Sequence, residues 1–241
     1  MPSFAVFDSL DSTNNYAMGQ VQQGLAEHGD AYMALEQTEG KGRRSRRWES
    51  HKAMNIMLSI IADTSTLSLT RQFSLSMAVA LGCHDFFSRY AGEKTKIKWP
   101  NDIYFSDNKA GGILIENIIT GTKWQWAVAG IGININQIFF TGEAKKATSL
   151  RLITRKEYDI IKLGKELQKD VLDRIKELKS KTPQELAEEY NSVLYKKNET
   201  VKLKKGSMAF ETTIKGVTSD GQLLTYDVMD RNFGFDEVEW L

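Results

Sequence analysis

Residues 40–48 form the segment of the chain best able to bind an anion. Five cations lie within positions 41–47: Lys41, Arg43, Arg44, Arg46 and Arg47. Guanidinium groups bind phosphate or carboxylate in bidentate geometry, and glycine, present at positions 40 and 42, lets the backbone approach a ligand closely. Mutual repulsion should keep such a loop mobile until an anion arrives, and Trp48 offers a flat surface that could cover an adenine ring. Two other interpretations stay open for this segment alone, a solvated charge run and a patch for nucleic acid or localisation.

A second group of polar residues lies where two predicted strands meet at a turn. The turn spans residues 98–102 (KWPND), and residues 109–114 (KAGGIL) follow it. Each residue alone also suits a structural role, because Pro-Asn-Asp is a common turn sequence, a lysine can lie on the surface and a glycine pair can form a bulge. Residues 130–136 (GIGININ) alternate small and apolar side chains, which indicates either a ligand near the strand or close packing of the sheet.

The composition limits the classes of protein to which these motifs can belong. The 241 residues suffice for one large domain, or for a medium domain and a small one. The 32 basic and 31 acidic residues nearly cancel, so no global field indicates a nucleic acid or a membrane as partner. The single cysteine, Cys83, cannot form an internal disulfide and fits a core position in a reducing compartment. Since there is no signal-type N-terminus and no run of ~18 apolar residues, we expect a cytoplasmic protein without a membrane segment.

The hydrophobic pattern predicts an α+β architecture, a mixed sheet with helices followed by a small β module. Strands are predicted over residues 31–36, 55–62, 96–99, 103–105, 112–119 and 124–135. Four helix starts are predicted from capping residues: Ser12, Thr70, Thr154 with Glu157, and Thr182 with Glu185. From residue 200 short strands alternate with turns, and about 40 residues of this kind cannot bury a large core alone. We therefore expect this module to pack on the main domain.

In this order the motifs resemble the signatures of the biotin–protein ligase family. The family's Asp-Ser-Thr-Asn signature is present at residues 11–14, and its glycine- and arginine-rich loop with a nearby Trp corresponds to residues 40–48. The KWPND signature is intact at residues 98–102, Lys-x-x-Gly-Ile-Leu at 109–114 and Gly-Ile-Gly-Ile-Asn at 130–134. Two loop residues depart from the pattern, because Lys41 stands where Arg is usual and Ser45 where Gly is usual. The first keeps the charge but loses the bidentate fork, and the second could stiffen the loop.

The resemblance implies a fold and a division into domains. We expect a catalytic domain over residues 1–197, built on the mixed β-sheet of the class II synthetase-like biotin/lipoate ligase type. A small SH3-like β-barrel is expected over residues 198–241. Larger members of the family carry an N-terminal winged helix-turn-helix that binds operator DNA. Because the catalytic signatures here begin at residue 11, we expect a ligase that does not bind DNA.

The resemblance also implies a reaction, in which biotin and ATP form biotinyl-5'-AMP and biotin then passes to a lysine of a biotin carboxyl carrier protein. Arg43 and Lys109 are the expected catalytic residues, and Asp102 is the candidate for holding Mg²⁺. The expected biotin-binding residues are Ser12, Thr13, Asn14, Gln37, Gly40, Lys41, Gly42, Arg43, Lys109, Gly111 and Gly112. The expected ATP-binding residues are Arg43, Arg46, Trp48, Asn101, Asp102 and Asn134.

Two rival functions stay open beside this one. A lipoate–protein ligase or octanoyltransferase shares the scaffold and a catalytic lysine, but lacks the arginine-rich loop and KWPND. A nucleic-acid-binding module would carry several basic surfaces and a high pI, whereas the net charge here is +1. A homodimer is also open: an exposed edge of the strand at 124–135 could pair with a second subunit, and a buried strand fits the pattern equally well.

Overall fold

A seven-stranded mixed sheet forms the centre of the protein. The computed structural model describes residues 2–43, 46–141 and 146–241. The strands of the sheet are β1 (Phe4–Phe7), β2 (Ala31–Ala34), β3 (Asn55–Asp63), β4 (Thr95–Lys98), β5 (Asp102–Phe105), β6 (Asn108–Thr120) and β7 (Lys123–Asn134). Their order is β1-β2-β3-β7-β6-β5-β4, and only the β1–β2 pair among these ladders is parallel. The predicted mixed sheet is therefore confirmed.

Strands β3 and β7 lie in the middle of the sheet, which explains their apolar sequences. The first eight residues of β3 are all buried, and β7 pairs with β3 on one side and with β6 on the other. Because β7 has partners on both sides, the prediction that its edge could pair with a second subunit is wrong, and the alternative of a buried strand is correct. The edges of the sheet are β1 and β4.

Helices cover both faces of the sheet. They are α1 (Thr13–Gln22), α2 (Gln72–Ala91), α3 (Leu150–Thr154), α4 (Ile160–Glu177) and α5 (Pro183–Ser192). The main core lies on one face of the sheet, under α2 and α4. Side chains alternate between the two faces of β3, so that Ile60 belongs to this core while the next residue, Ile61, packs under α1 on the other face. Cys83 is completely buried in α2, where desolvation raises the pKa of its thiol. The predicted core position of this cysteine is confirmed.

Two of the predicted helix starts are wrong and one capping box is confirmed. Thr70 lies in a 3-10 turn, Leu69–Arg71, in which the Ser68 side chain accepts from the Thr70 N–H, and α2 begins only after it. Thr154 ends the short helix α3, which was not predicted, and Asp159 caps α4 instead. The Thr182 capping box of α5 is present as predicted, with Pro at the first turn.

The reason that α4 starts late is a tertiary contact. The Tyr158 backbone N–H donates to Asn136 Oδ1 at 3.0 Å, and Asn136 Nδ2 donates to the Tyr158 carbonyl at 2.8 Å. Arg155, with φ of 62°, has already left the helical region. This segment is therefore held against the end of β7 in a non-helical conformation, which overrides the local capping preference of Thr154.

The C-terminal module is a five-stranded antiparallel sheet. Its strands are β8 (Thr200–Lys205), β9 (Met208–Val217), β10 (Leu223–Tyr226), β11 (Asp230–Phe233) and β12 (Glu239–Trp240). Their order is β11-β10-β9-β8-β12. The two edge strands, β11 and β12, are not paired with each other, so the predicted SH3-like module is open rather than closed. Strand β12 is only two residues long. Leu203, Ile214 and Phe233 belong to the same buried cluster as the main sheet, which confirms that the module packs on the main domain.

Among the described residues, no helix combines the length and the apolar character that crossing a bilayer requires.

The crossing of α2 and α4 depends on Gly82. A Cβ at this position would lie 2.7 Å from Val171 Cα and 3.1 Å from the Asp170 carbonyl oxygen. We predict that Gly82→Ala lowers the free energy of unfolding by about 1–3 kcal/mol, because the two helices must separate to admit the methyl group. Urea denaturation measures this change. The matched control is Gly19→Ala in α1, where nothing lies within 4 Å, and which should be neutral or stabilising. Equal effects of the two substitutions would contradict the prediction.

Candidate active site

A cleft of about 500 Å³ opens between the start of α1, the basic loop (residues 40–48), the β4–β5 turn and strands β6 and β7. The residues predicted for the site that line it are Ser12, Thr13, Asn14, Gln37, Lys41, Gly42, Arg43, Trp48, Asn101, Asp102, Lys109 and Gly112. These residues come from separate stretches of the chain, so the assembled sheet is what brings them together.

A β-bulge places Lys109 on the face of the sheet that carries Asp102. The β5–β6 register shifts after Ile103, and Ala110 is left as the extra residue of β6. Side chains alternate between the faces of a strand, so an insertion of one residue turns Lys109 to the side of Asp102. The Lys109 Nζ lies 2.8 Å from Asp102 Oδ1 in an ion pair.

Asn134 and Gly111 lie behind Lys109 rather than in the cleft. The buried Asn134 Nδ2 donates to the carbonyl oxygens of Thr148 at 3.0 Å and of Lys109 at 3.5 Å, and the Thr148 N–H donates to the same Lys109 carbonyl at 2.8 Å. A Cβ on Gly111 would lie 2.5 Å from Ile133 Cδ1, so this glycine permits close packing of β6 on β7. The structure thus does not bring these two predicted contact residues to the cleft, and Asn134 instead holds the main chain of Lys109.

Polar side chains at the start of α1 are oriented by a hydrogen-bond network. Gln37 Oε1 accepts from the Thr13 backbone N–H at 2.7 Å and from Thr13 Oγ1 at 3.1 Å. Ser59 Oγ, in β3, donates to Asn14 Oδ1 at 2.6 Å and lies 2.8 Å from Thr13 Oγ1. Asn14 Nδ2 donates to Glu116 Oε2 at 2.7 Å. Since each amide has a defined partner, this wall of the cleft presents a fixed pattern of donors and acceptors.

The two described arms of the basic loop, residues 40–43 and 46–48, lie side by side at the mouth of the cleft. Lys41 and Arg47 form an antiparallel bridge, and Arg47 Nη2 donates to the Thr38 carbonyl at 2.5 Å. The predictions made for Arg44 and Ser45 lie outside the described residues.

Two of the loop's predicted ligand residues line a second, outer cleft of about 1280 Å³ rather than the inner one. These are Gly40 and Arg46, and Lys41, Gly42 and Arg43 line both clefts. A Cβ on Gly40 would lie 2.5 Å from the Trp48 carbonyl oxygen, so a glycine is needed where the two arms of the loop meet.

Arg43 lies between the two clefts and contacts the C-terminal module. Its Nη1 donates to Asn101 Oδ1 at 3.5 Å, and its Nη2 forms an ion pair with Asp236 Oδ1 at 3.0 Å. The guanidinium carbon lies 5.7 Å from the centre of the Phe235 ring, which in turn stacks on Trp99 at a centroid distance of 5.8 Å. The module therefore forms part of the wall against which the basic loop rests.

Trp48 lies across β7 on the floor of the cleft. A Cβ on Gly132 would lie 2.4 Å from Trp48 Cε2, and a Cβ on Gly130 would lie 2.3 Å from Asn14 Oδ1. The two glycines therefore leave room for a ring and an amide on the same face. Lys109 Nζ lies 6.0 Å from the Trp48 ring centre, and Trp48 Nε1 is buried without a hydrogen-bond partner among the described residues.

Lys98, beside Asp102 in the β4–β5 hairpin, occupies an aromatic box that joins the main sheet to the C-terminal module. Its Nζ donates to the Tyr104 hydroxyl at 3.2 Å and lies 4.7 Å from the centre of the same ring. The ring centres of Trp240 and Tyr195 lie 4.8 Å and 5.7 Å away. Ring faces attract a cation, so this box stabilises the ammonium group that burial disfavours.

Several contributors to the site were not predicted as site residues. Ser59 is a polar residue inside the apolar run at 56–62, and this interruption is a signal that could have found it. Phe235 and Asp236 reach the site from the far end of the chain, 193 positions from Arg43 in the case of Asp236, and no local pattern marks them.

The charge of the cleft favours an anionic ligand. Its described lining carries three cations, Lys41, Arg43 and Lys109, and one carboxylate, Asp102. Within residues 2–43, 46–141 and 146–241, no group of three or more His, Cys, Asp or Glu side chains is placed to hold a metal ion.

The architecture is one that solved ligand-binding enzymes share. A biotin protein ligase from Aquifex aeolicus, in complex with biotin and ATP, has a TM-score of 0.81 and 24% sequence identity, covering 99% of this chain and 98% of that one. A biotin protein ligase from Leishmania major, in complex with biotinyl-5-AMP, has a TM-score of 0.71 at 22% identity and covers 97% and 99% of the two chains. These similarities establish the fold.

The sequence identifies the family. The chain belongs to the biotin/lipoate A/B protein ligase family, whose sequence pattern matches residues 6–134. The bifunctional ligase/repressor BirA of Escherichia coli (strain K12) is 34% identical over 134 residues, which are 56% of this chain and 40% of that protein. The biotin–[acetyl-CoA-carboxylase] ligase of Paracoccus denitrificans is 34% identical over 128 residues, 52% of this chain and 51% of that protein. The match thus spans about half of each relative or less, and the family predicted from the motifs is confirmed.

The environment of Lys98 predicts a dependence of stability on pH. Burial lowers the pKa of Lys98 from 10.5 to about 8, an effect that Asp102 opposes and that Lys109 and Lys146 reinforce. Between these values the unfolded chain binds more protons than the folded one, so this group makes the protein more stable as pH rises. From pH 7.5 to 9.5 we expect the unfolding free energy of the wild type to gain about 1–2 kcal/mol relative to Lys98→Met. Urea titrations of both proteins measure it, and a pH-independent difference between them would contradict the prediction.

Proposed function

We propose that this protein is an ATP-dependent ligase that forms biotinyl-5'-AMP from biotin and ATP and transfers biotin to the ε-amino group of a lysine on a biotin carboxyl carrier protein. The observation that carries the proposal is the convergence of Arg43 and Lys109 on one cleft with Asn101 and Asp102. The names of the relatives and the ligands of the structural neighbours support it.

The first step requires cations from two directions. Biotin's carboxylate must attack the α-phosphorus of ATP, and the approach of two anions in a closed site is unfavourable unless fixed positive groups neutralise them. Lys109 comes from the floor of the cleft and Arg43 from its mouth, so a carboxylate and a phosphate placed between them would each have a cation nearby. We assign both residues a catalytic role, with Asn134 acting indirectly by holding the Lys109 backbone.

Biotin and ATP need different surfaces of the cleft. The ureido ring of biotin needs both donors and acceptors, which the oriented side chains of Ser12, Thr13, Asn14 and Gln37 supply. We propose that Trp48 covers the adenine ring, since its indole lies over Gly132 of β7 on the floor of the cleft.

Magnesium fits the cleft as a companion of ATP. Asp102 is the one carboxylate among the described residues of the inner lining, and Lys109 already pairs with it. Mg²⁺ is commonly bound through one or two carboxylates together with substrate phosphates, so Asp102 would hold it directly or through water. Its chemical contribution would be to shield the charge of the pyrophosphate leaving group.

The second step places a carrier lysine at the mixed anhydride, which must be protected from water until then. The described residues of the basic loop line the mouth of the cleft, and we propose that the loop orders over the intermediate to provide this protection. We also propose a cytoplasmic location, supported by the single buried thiol of Cys83. The absence of DNA binding and a homodimer stay predictions.

A label-transfer assay tests the function. The full-length protein is incubated with ATP, Mg²⁺ and a biotin carrier domain, and either radiolabelled biotin or radiolabelled lipoate. We expect transfer of biotin only. Transfer of lipoate would favour the rival function, which the same family includes. A DNA mobility-shift assay alongside tests the nucleic-acid alternative, and absence of any transfer would refute the proposal.

Substitutions at the two proposed catalytic cations should have different effects. Lys109→Gln should reduce biotin-dependent exchange of pyrophosphate into ATP by about 100-fold or more, because it removes a fixed charge at the reacting groups. Arg43→Gly should release the adenylate early, so that bystander lysines become labelled with biotin and ATP alone. The control is Lys123→Gln, an exposed lysine at the start of β7, which should change neither readout. Tighter retention of the adenylate by Arg43→Gly would contradict its assigned role.

A further inference from the structure

We propose that Asp236, in the C-terminal module, is a positioning residue for Arg43. In this role it pairs with the guanidinium before the reactants bind and gives it up to their negative charge. The inference rests on the proposed function, and deepens it by giving the module a part in adenylation. Two features of the structure carry it: the ion pair between the two residues and the unequal exposure of its partners.

The first step concerns what holds Arg43. The side chain extends from the basic loop and, among the residues that the structure describes, meets three groups: Asn101 on the β4–β5 turn, the Phe235 ring and the Asp236 carboxylate. Only the last carries a charge, at a distance of 3.0 Å. Since Phe235 is stacked on the buried Trp99, the segment that carries Asp236 is anchored to the KWPND turn and is not a free tail.

The second step concerns charge balance. Without a ligand, both proposed catalytic cations have a carboxylate partner, because Lys109 lies 2.8 Å from Asp102 while Arg43 lies 3.0 Å from Asp236. An anionic reactant that enters the cleft adds negative charge beside both pairs. One of the carboxylates must then share its cation or lose it.

The third step identifies which of the two carboxylates loses its cation to the reactant. Asp102 is 24% exposed and lies inside the cleft, so leaving Lys109 would strand a charge in a partly desolvated place. Asp236 is 69% exposed, so its carboxylate is already partly hydrated and depends less on the guanidinium. An exposed ion pair contributes little to stability, which makes this contact a weak competitor that a reactant can displace.

This arrangement explains how a strongly basic loop can lie next to the cleft before the reactants bind. Asp236 offsets the repulsion between Arg43 and the other cations of the loop while leaving the guanidinium within reach of Asn101, in the inner cleft. The contribution of the module is therefore to neutralise Arg43 until the anion arrives, at a small cost in affinity for that anion.

The test compares two ligands that share the ureido ring and the aliphatic chain, of which only one carries a carboxylate charge. Binding of biotin and of biotinol, its neutral alcohol, is measured by calorimetry with the full-length wild type and with Asp236→Asn. We expect Asp236→Asn to bind biotin about two- to fivefold more tightly, because the internal competitor is gone, and biotinol with unchanged affinity. Raising the salt concentration should reduce the difference. The control is Asp230→Asn, an exposed carboxylate of β11 that lines neither cleft, which should leave both affinities unchanged.

A double-mutant cycle shows whether Asp236 acts through Arg43. In an Arg43→Gly background, Asp236→Asn should lose at least half of its effect on biotin binding. An undiminished effect, an equal effect on biotinol, or weaker biotin binding by Asp236→Asn alone would each overturn the inference. If the wild type binds no biotin, the proposed function and this inference fail together, whereas wild-type binding that Asp236→Asn leaves unchanged overturns the inference alone.

Discussion

Cations gathered in and beside a small cleft repel one another, and a carboxylate or an aromatic surface next to a cation offsets this repulsion. Within the cleft, Lys109 has Asp102 and Arg43 has Asp236, and beside it Lys98 has a box of three rings. Each pairing depends on a different structural device: a bulge in β6, the packing of the C-terminal module and the β4–β5 hairpin. The balance of charge therefore links parts of the protein that are far apart in the chain, and explains why the module cannot be regarded as an independent appendage.

Trp99 connects the C-terminal module to the β4–β5 turn of the site. It is 2% exposed, its Nε1 donates to the Gly221 carbonyl at 2.9 Å, and its ring stacks on Phe235. Gly221 has φ of +98°, and a Cβ there would lie 2.7 Å from the Phe73 ring, so both its conformation and its surroundings require glycine. The turn before β10 is thus locked between α2 and the KWPND turn. Because Asn101 and Asp102 follow Trp99 and Pro100 in the same turn, fixing this indole helps to fix the polar residues of the cleft.

The sequence could predict what depends on short-range chemistry. Two examples are the Thr182 capping box and the apolar strands β3 and β7, which the structure contains as predicted. The five motifs are likewise short segments that can be recognised without the fold. Where a long-range contact competes with a local preference the prediction failed, as at Thr154, because Asn136 holds Tyr158 outside the helix. The bulge at Ala110 also depends on a long-range contact. The glycine pair at 111–112 suggested a bulge nearby, but the pairing with β5 decides which residue is the extra one. That choice determines the face of the sheet on which Lys109 lies.

The glycines of β7 show how a strand sequence can prescribe a binding surface without contributing a side chain to it. Gly130 and Gly132 face the cleft, while the isoleucines between and after them fill the core. A methyl group at either glycine would occupy the place of Asn14 or of Trp48. The floor of the cleft is therefore backbone, and its polar and aromatic groups come from α1 and the basic loop, which lie across it. A sheet of larger residues would keep the same fold and the same Lys109, yet it would have no space in which two reactants could meet.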